Sequence, residues 1–518
     1  MTFLKEKIMF KKAILIFILA FTGAGFSFGQ ALYEPCGTTY DMQVEILERT
    51  RANKDILRTN PIMERSTVWV PLRFHLVAKN DGTGAVSEQK VYDQVCELNE
   101  TYAVMDLQFY LKDFNYINNT TMYSDHEGTS FLMQSNRDNA AINIFVVQDA
   151  GGIPGQSETL GYFSPNFDWL VMRIDEIGRF KKTLSHEVGH FFSLAHPFLG
   201  WEVPNHFDPD DFPTNQVGVN SPQNTPNELQ DGSNCDQAAD LVCDTPPDYN
   251  FGFLWNTCNY TGGAMDPTGT VVDPMEVNIM SYFLDCEPAD YTFTQDQSDL
   301  IITDLNTQAR AYIRPNYTPT HAELTGIPDI ISPAYDEAIP AYNVVQLEWT
   351  QVEGATHYFI EISRLSSFST NFWRHKESVY GTSKTLYIDM EPDKNYYWRV
   401  RAVNEARTCA TFSENGKFRT GTAVAVDQLT QVNDFKILPN PVSSNEDLQF
   451  RLNVSEGFEG QISLIDITGK VVRQLPQQFF AEGQNIYTLA LNGEAPGVYF
   501  VNINSQKGKI TRKVVITQ

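Results

Sequence analysis

Three histidines and a glutamate at fixed spacing could do chemistry in this chain. In Thr183-Leu-Ser-His186-Glu187-Val-Gly-His190-Phe-Phe-Ser193-Leu-Ala-His196, two histidines stand four residues apart with a glutamate directly after the first. On a helix that spacing puts both imidazoles on one face, one turn apart, where they can share a metal ion. Glu187 stands beside them, placed to polarise a water on that ion. His196, six residues after the second histidine, supplies a third neutral nitrogen. Three nitrogens and one water make the catalytic zinc pattern, with one coordination position left open. A His-Glu-x-x-His pair can fall on a helix by chance; a third ligand at the right distance is an independent coincidence.

The spacing resembles the metzincin pattern His-Glu-x-x-His-x-x-Gly-x-x-His, with Ser193 where that family has glycine. The glycine ends the helix so that the chain can return the third ligand. A serine there holds a positive φ at a cost of about 1–2 kcal/mol. Asp240-Leu-Val-Cys-Asp244-Thr245-Pro246 and Asn278-Ile-Met280-Ser-Tyr282 extend the likeness. Together these segments look like the pappalysin family of metzincin zinc peptidases over roughly residues 31–315. The resemblance implies an α+β catalytic domain with a mixed sheet, a zinc helix and a methionine turn. Met280 is then an apolar base beneath the zinc, and Tyr282 a hydrogen-bond donor to the tetrahedral intermediate. The implied reaction is peptide-bond hydrolysis: zinc lowers the pKa of its water from ~15.7 towards ~7, and Glu187 carries the proton to the leaving amine.

Further residues take roles by the same match. Asp240 and Thr245 stand where the family binds calcium, although an acidic turn fits them equally. Asp285, five residues past Met280, matches an acidic residue lining the primed-side pocket of arginine-specific members. It implies cleavage before Arg or Lys through a carboxylate–guanidinium pair. Cys36, in Tyr33-Glu-Pro-Cys36-Gly-Thr, matches a pro-segment cysteine whose thiolate fills the open zinc position in some latent relatives. A free or intermolecular thiol is the other reading of Cys36. Removal of the segment near Arg58 or before Arg65 would suit a basic preference.

The elements that must position these groups follow from pattern. Thr67 to Ala78, Leu107 to Phe114, Ala141 to Val147 and Trp169 to Ile174 read as strands, the third nearly all apolar and hence central. Ser87 to Ala103 reads as an amphipathic helix with Val91, Val95, Leu98 and Tyr102 on one face. The zinc helix is expected from about Arg179, and a closing helix over Thr294 to Ile313. Met42 to Asn53 is weakly helical within an expected pro-segment over 31–65. Asn205 to Asp231, with His206, Asp208, Asp210 and Asp211, reads as a solvated insertion.

At 518 residues the chain exceeds one core, and length suggests three or four domains. Its formal charge of −26 argues against nucleic acid and anionic membranes as partners. Residues 1–30 read as a signal peptide, with Lys11-Lys12 before the apolar run Ala13 to Phe21 and a cut near Gly29 or Gln30. No later stretch is long and apolar enough for a membrane span. Of 7 cysteines, Cys235, Cys243, Cys258 and Cys286 make two bridges with three possible pairings. Cys96 and Cys409 read as buried thiols.

Two all-β units follow the peptidase-like domain (66–315). Residues 329–421 carry Leu347-Glu-Trp349, Tyr358 to Ile362 and Tyr396 to Ala402, and resemble a fibronectin type III sandwich. Residues 434–518 begin Ile437-Leu-Pro-Asn-Pro441 and end Lys513 to Thr517. They resemble the C-terminal sorting domain of the type IX secretion system of Bacteroidetes, which implies that machinery as a partner. The reading is a secreted or surface-attached zinc endopeptidase acting on proteins or peptides. A surface adhesin or binding protein with a non-catalytic zinc domain is the alternative, opposed by the intact His186, Glu187, His190, His196 and Tyr282.

Overall fold

The apolar run Ile142–Val147 is buried along its whole length because it forms the middle of a five-stranded sheet. Its neighbours in chain order are β1 (Val68–Ala78), β2 (Leu107–Asn118), β3 (Ile142–Val147 itself), β4 (Gly161–Ser164) and β5 (Trp169–Arg173), arranged β2-β1-β3-β5-β4. All pairings are parallel except that of β4 with β5, so β4 is an antiparallel edge. The computed structural model describes residues 36–60, 67–151, 159–202, 213–252, 255, 257–368, 374–422, 429, 431–505 and 508–518. The expected leader, the ends of the pro-segment with Arg65, and His206, Asp208, Asp210 and Asp211 lie outside them. Among the described residues no helix is long and apolar enough to cross a membrane.

The chain forms two compact units, one of residues 1–86 and 97–316 and the other of 87–96 and 317–518. In the first, helix α1 (Tyr40–Thr59) extends well beyond the weak helical pattern at Met42 to Asn53. Its buried stripe, Gln43, Ile46, Leu47, Thr50 and Asn53, is polar at three of five positions, so specific partners must satisfy it. Helix α2 (Glu88–Tyr102) buries Val91, Val95, Leu98 and Tyr102 as its periodicity demands. Two short helices, α3 (Thr120–Ser124) and α4 (Ser130–Asn136), precede β3. Helix α5 (Thr183–Phe191) starts four residues later than expected, because Phe180 adopts a φ of 62° and breaks any helix there. Helix α6 (Gln295–Asn306) opens on a capping box between Thr294 and Gln297.

The second unit is β-rich. Residues 330–419 form a five-stranded and a three-stranded sheet around the buried Trp349 and Trp398. Residues 432–517 form sheets of three and six strands. The first half of α2 belongs with this unit. Tyr92 Oη lies 3.0 Å from His357 Nε2, Asp93 pairs with Arg401 at 2.8 Å, and Thr408 Oγ1 donates to Tyr92 O at 2.7 Å. Cys96 and Cys409 are not thiols, as their sequence setting suggested, but a disulfide across 313 positions. Cys409 is exposed and Cys96 buried, so the local pattern of neither residue marks the pairing. The multidomain chain is thus mixed α/β followed by β-sandwich strands.

Candidate metal centre

Helix α5 is nine residues long and places His186 and His190 one turn apart. It ends in a Schellman motif: Leu194 N donates to Gly189 O and Ser193 N to His190 O, both at 3.0 Å. Ser193 sits at the left-handed position with φ 70°, the conformation expected of it. The turn brings His196 back to the helix. His196 Nε2 lies 3.2 Å from His186 Nε2 and 3.1 Å from His190 Nε2. Each ring is oriented through its other nitrogen. His186 Nδ1 is 2.8 Å from Ile279 O, His190 Nδ1 is 2.7 Å from Leu194 O, and His196 Nδ1 is 3.4 Å from Glu202 Oε1. Donation from Nδ1 leaves the Nε2 lone pairs facing one another.

Cys36 completes the cluster, with Sγ 3.5 Å from His190 Nε2. A tetrahedral ion with bonds of about 2.05 Å to nitrogen and 2.3 Å to sulfur requires N···N near 3.3 Å and N···S near 3.6 Å. The four donors fit zinc on that measure. Burial pushes His186 down to about 4 and holds His190 and His196 well below the usual imidazole range, so all three are neutral and able to bind metal. Burial and the Glu187 carboxylate raise the Cys36 thiol, an effect that a dication would reverse.

Glu187 is fully buried, and burial lifts it to about 8. Its Oε2 accepts from Thr38 Oγ1 at 3.4 Å and Cys36 Sγ at 3.5 Å; its Oε1 has no partner. Cys36 and Thr38 reach the site along the edge of β4. Gly37 N donates to Gly161 O at 2.9 Å, and Phe163 N to Thr38 Oγ1 at 3.1 Å. Gln43 of α1 lies over the histidines: its Nε2 is 3.3 Å from His190 Nε2, and its Oε1 accepts the His196 N–H at 3.2 Å. Sequence reasoning missed Thr38, Gln43 and Glu202. The polar positions in the α1 stripe were the available signal for Gln43, visible only once that helix is drawn to full length.

Met280 is buried against α5, where a Cβ on Gly189 would stand 2.4 Å from its sulfur. The Tyr282 ring centroid lies 5.0 Å from that of His196 and 5.9 Å from that of His186. A cleft of about 290 Å³ opens beside His186, Glu187 and Tyr282. Asp285 is exposed and does not line it, although its neighbours Leu284 and Cys286 do. Asp240 is buried, with Oδ1 accepting from Val242 N at 3.0 Å and Thr245 Oγ1 at 3.2 Å. Glu228, absent from the sequence reading, is buried as well; burial and the Asp240 carboxylate raise Glu228, and burial with the neighbouring Asp244 raises Asp240. The cysteine pairings are Cys235–Cys243 and Cys258–Cys286, with Cys36 free and buried.

Residues 436–517 match the family described as "Secretion system C-terminal sorting domain". The chain is 25% identical over 199 residues to an extracellular metalloprotease of Colletotrichum graminicola, covering 35% of this chain and 69% of that protein. Over 214 residues it is 27% identical to an extracellular metalloprotease of Neurospora crassa, covering 36% and 72%. Over 240 residues it is 24% identical to extracellular metalloprotease 1 of Coccidioides posadasii, covering 42% and 74%. Among solved structures, the fibronectin(III)-like modules of Clostridium thermocellum CbhA match at 13% identity, covering 36% of this chain and 92% of theirs. Their TM-score of 0.15 is too low to carry a fold assignment. With a type IX sorting tail at its C-terminal end, the chain is exported to the cell surface or beyond it.

Proposed function

We propose that the chain is a secreted zinc endopeptidase of the pappalysin-like metzincin kind, held latent here by Cys36. The observation that carries this reading is the convergence of three Nε2 atoms and one thiol at zinc spacing beside a buried glutamate. His186, His190 and His196 would hold zinc, which when bound would supply Lewis acidity toward a scissile carbonyl and a water. Glu187 takes the proton, on a carboxylate whose Oε1 is unengaged, and hands it to the leaving amine. The Tyr282 hydroxyl donates to the developing oxyanion. The β4 edge aligns an extended polypeptide by strand addition, the mode in which residues 36–38 already occupy it.

Latency is supported by α1 as well as by the thiol. Thr50 Oγ1 donates to Ser193 O at 2.6 Å, Asn53 Nδ2 to Ser193 Oγ at 2.8 Å, and Arg49 Nη2 to Phe191 O at 2.9 Å. The segment thus grips both the metal cluster and the end of α5. Its release would free a peptidase domain running to residue 315, followed by the fibronectin-like (329–421) and sorting (434–518) domains. Preference for Arg or Lys after the scissile bond rests on Asp285 alone.

One experiment tests the reading. Full-length chain and its Cys36→Ala form are incubated with a peptide library, with and without a zinc chelator. Cys36→Ala should cleave faster than wild type, the chelator should abolish cleavage, and Glu187→Ala should keep its zinc while losing roughly 10²–10⁴-fold in rate. A Cys36→Ala chain that holds zinc yet cleaves nothing would favour the binding-protein alternative. Calcium at Asp240 and Thr245, with Glu228 beside them, is proposed on the buried carboxyl pair. Chelation should then lower Tm, and calcium rather than zinc should restore it.

A further inference from the structure

Phe180 stands three residues before α5 with φ 62°, a backbone state that is an outlier for a bulky side chain and persists only where its surroundings impose it. Here one carboxylate imposes it. Glu97 of α2 is buried; its Oε2 accepts the Phe180 N–H at 3.0 Å and Arg179 Nη1 at 3.1 Å, and its Oε1 takes Lys182 Nζ at 2.7 Å. The turn holds out Phe180, a residue 63% exposed that lines the cleft with His186 and Glu187. Leu160, Phe283, Leu284 and Pro288 continue an apolar wall. Glu176, the acidic residue of that wall, is engaged by Lys181 Nζ at 2.9 Å and Thr183 Oγ1 at 2.7 Å. A glycine at position 180 would make the same turn with less strain. Arg179, itself held by Glu97, places its guanidinium carbon 5.2 Å from the centroid of the Phe180 ring, which steadies the ring at the rim of the cleft.

We infer that Phe180 is a substrate-contacting residue whose ring receives an apolar or aromatic side chain of the bound polypeptide. Glu97 is the positioning residue that fixes it at the rim. The inference rests on the peptidase reading and adds a substrate feature to it, independent of Asp285.

The test profiles Phe180→Gly and Phe180→Leu against a peptide library, in the full-length chain and its Cys36→Ala form, with zinc content and Tm measured alongside. Phe180→Gly should keep its zinc and melt no lower than its parent. Its selectivity for apolar over small residues at one subsite should fall about tenfold, the scale of a lost apolar contact, and Phe180→Leu should retain most of it. A Phe180→Gly profile that superimposes on the parent's would overturn the inference while leaving the peptidase reading intact. Loss of zinc from Phe180→Gly would also overturn it, by making the residue structural. Absence of cleavage from every form, Cys36→Ala included, would remove the peptidase reading and this inference with it.

Discussion

Ser193 combines a backbone state favoured by glycine with a hydroxyl that glycine lacks. Its φ of 70° is strained in any chain state, but its bond to Asn53 exists only while α1 is docked. Glycine there would relieve about 1 kcal/mol throughout and remove about 1 kcal/mol from the docked state alone. On the latency proposed above, Ser193→Gly should therefore leave the Tm of the full-length chain within a few degrees and speed its activation several-fold. A time course of cleavage after export reads this, and a course identical to wild type would show the hydroxyl to be idle. His186, Glu187, His190 and His196 were legible because their relation is short-range: a helix and one turn fix it. Gln43 was not, since nothing near it in sequence announces an imidazole 153 residues away.

At the scale of elements, α5 is held from below and at its end. Gly189 faces Met280, whose turn also presents Ile279 O to His186 Nδ1. A methyl group at 189 must displace the Met280 sulfur, at about 1–3 kcal/mol for overpacking. Gly189→Ala should lower Tm by several degrees and weaken zinc in a chelator competition, because the carbonyl that orients His186 moves with the turn. Phe191 O, at the other end, accepts from Arg49 and Arg310, and Asp304 holds both guanidinium groups. The central strand was legible from an unbroken apolar run. Edge strand β4 was not read at all: four residues, Gly161 to Ser164, are too few to show a period. Yet it is the strand that residues 36–38 dock against.

The molecule as a whole depends on contacts that no local pattern records. Strands around Leu347 to Trp349, Tyr358 to Ile362 and Tyr396 to Ala402 announce themselves by alternation and aromatic content, and all three form. The assignment of Ser87–Cys96 to the second unit has no such mark, because partners such as Arg401 and Thr408 lie hundreds of positions downstream. Cys409→Ser should destabilise that unit by about 2–5 kcal/mol. It should also accelerate amide exchange in residues 87–96, and unchanged protection there would mean that the side-chain contacts suffice without the bridge.

The Cys96–Cys409 pairing also bears on biosynthesis. A ribosome delivers the first of these sulfurs long before the second, so the early one must wait, reduced, while the intervening chain is made. Any product broken off in that interval leaves with a reactive sulfur where a finished protein has none. The integrity of the C-terminal half is thereby recorded, as an oxidation state, within a helix near the N-terminus.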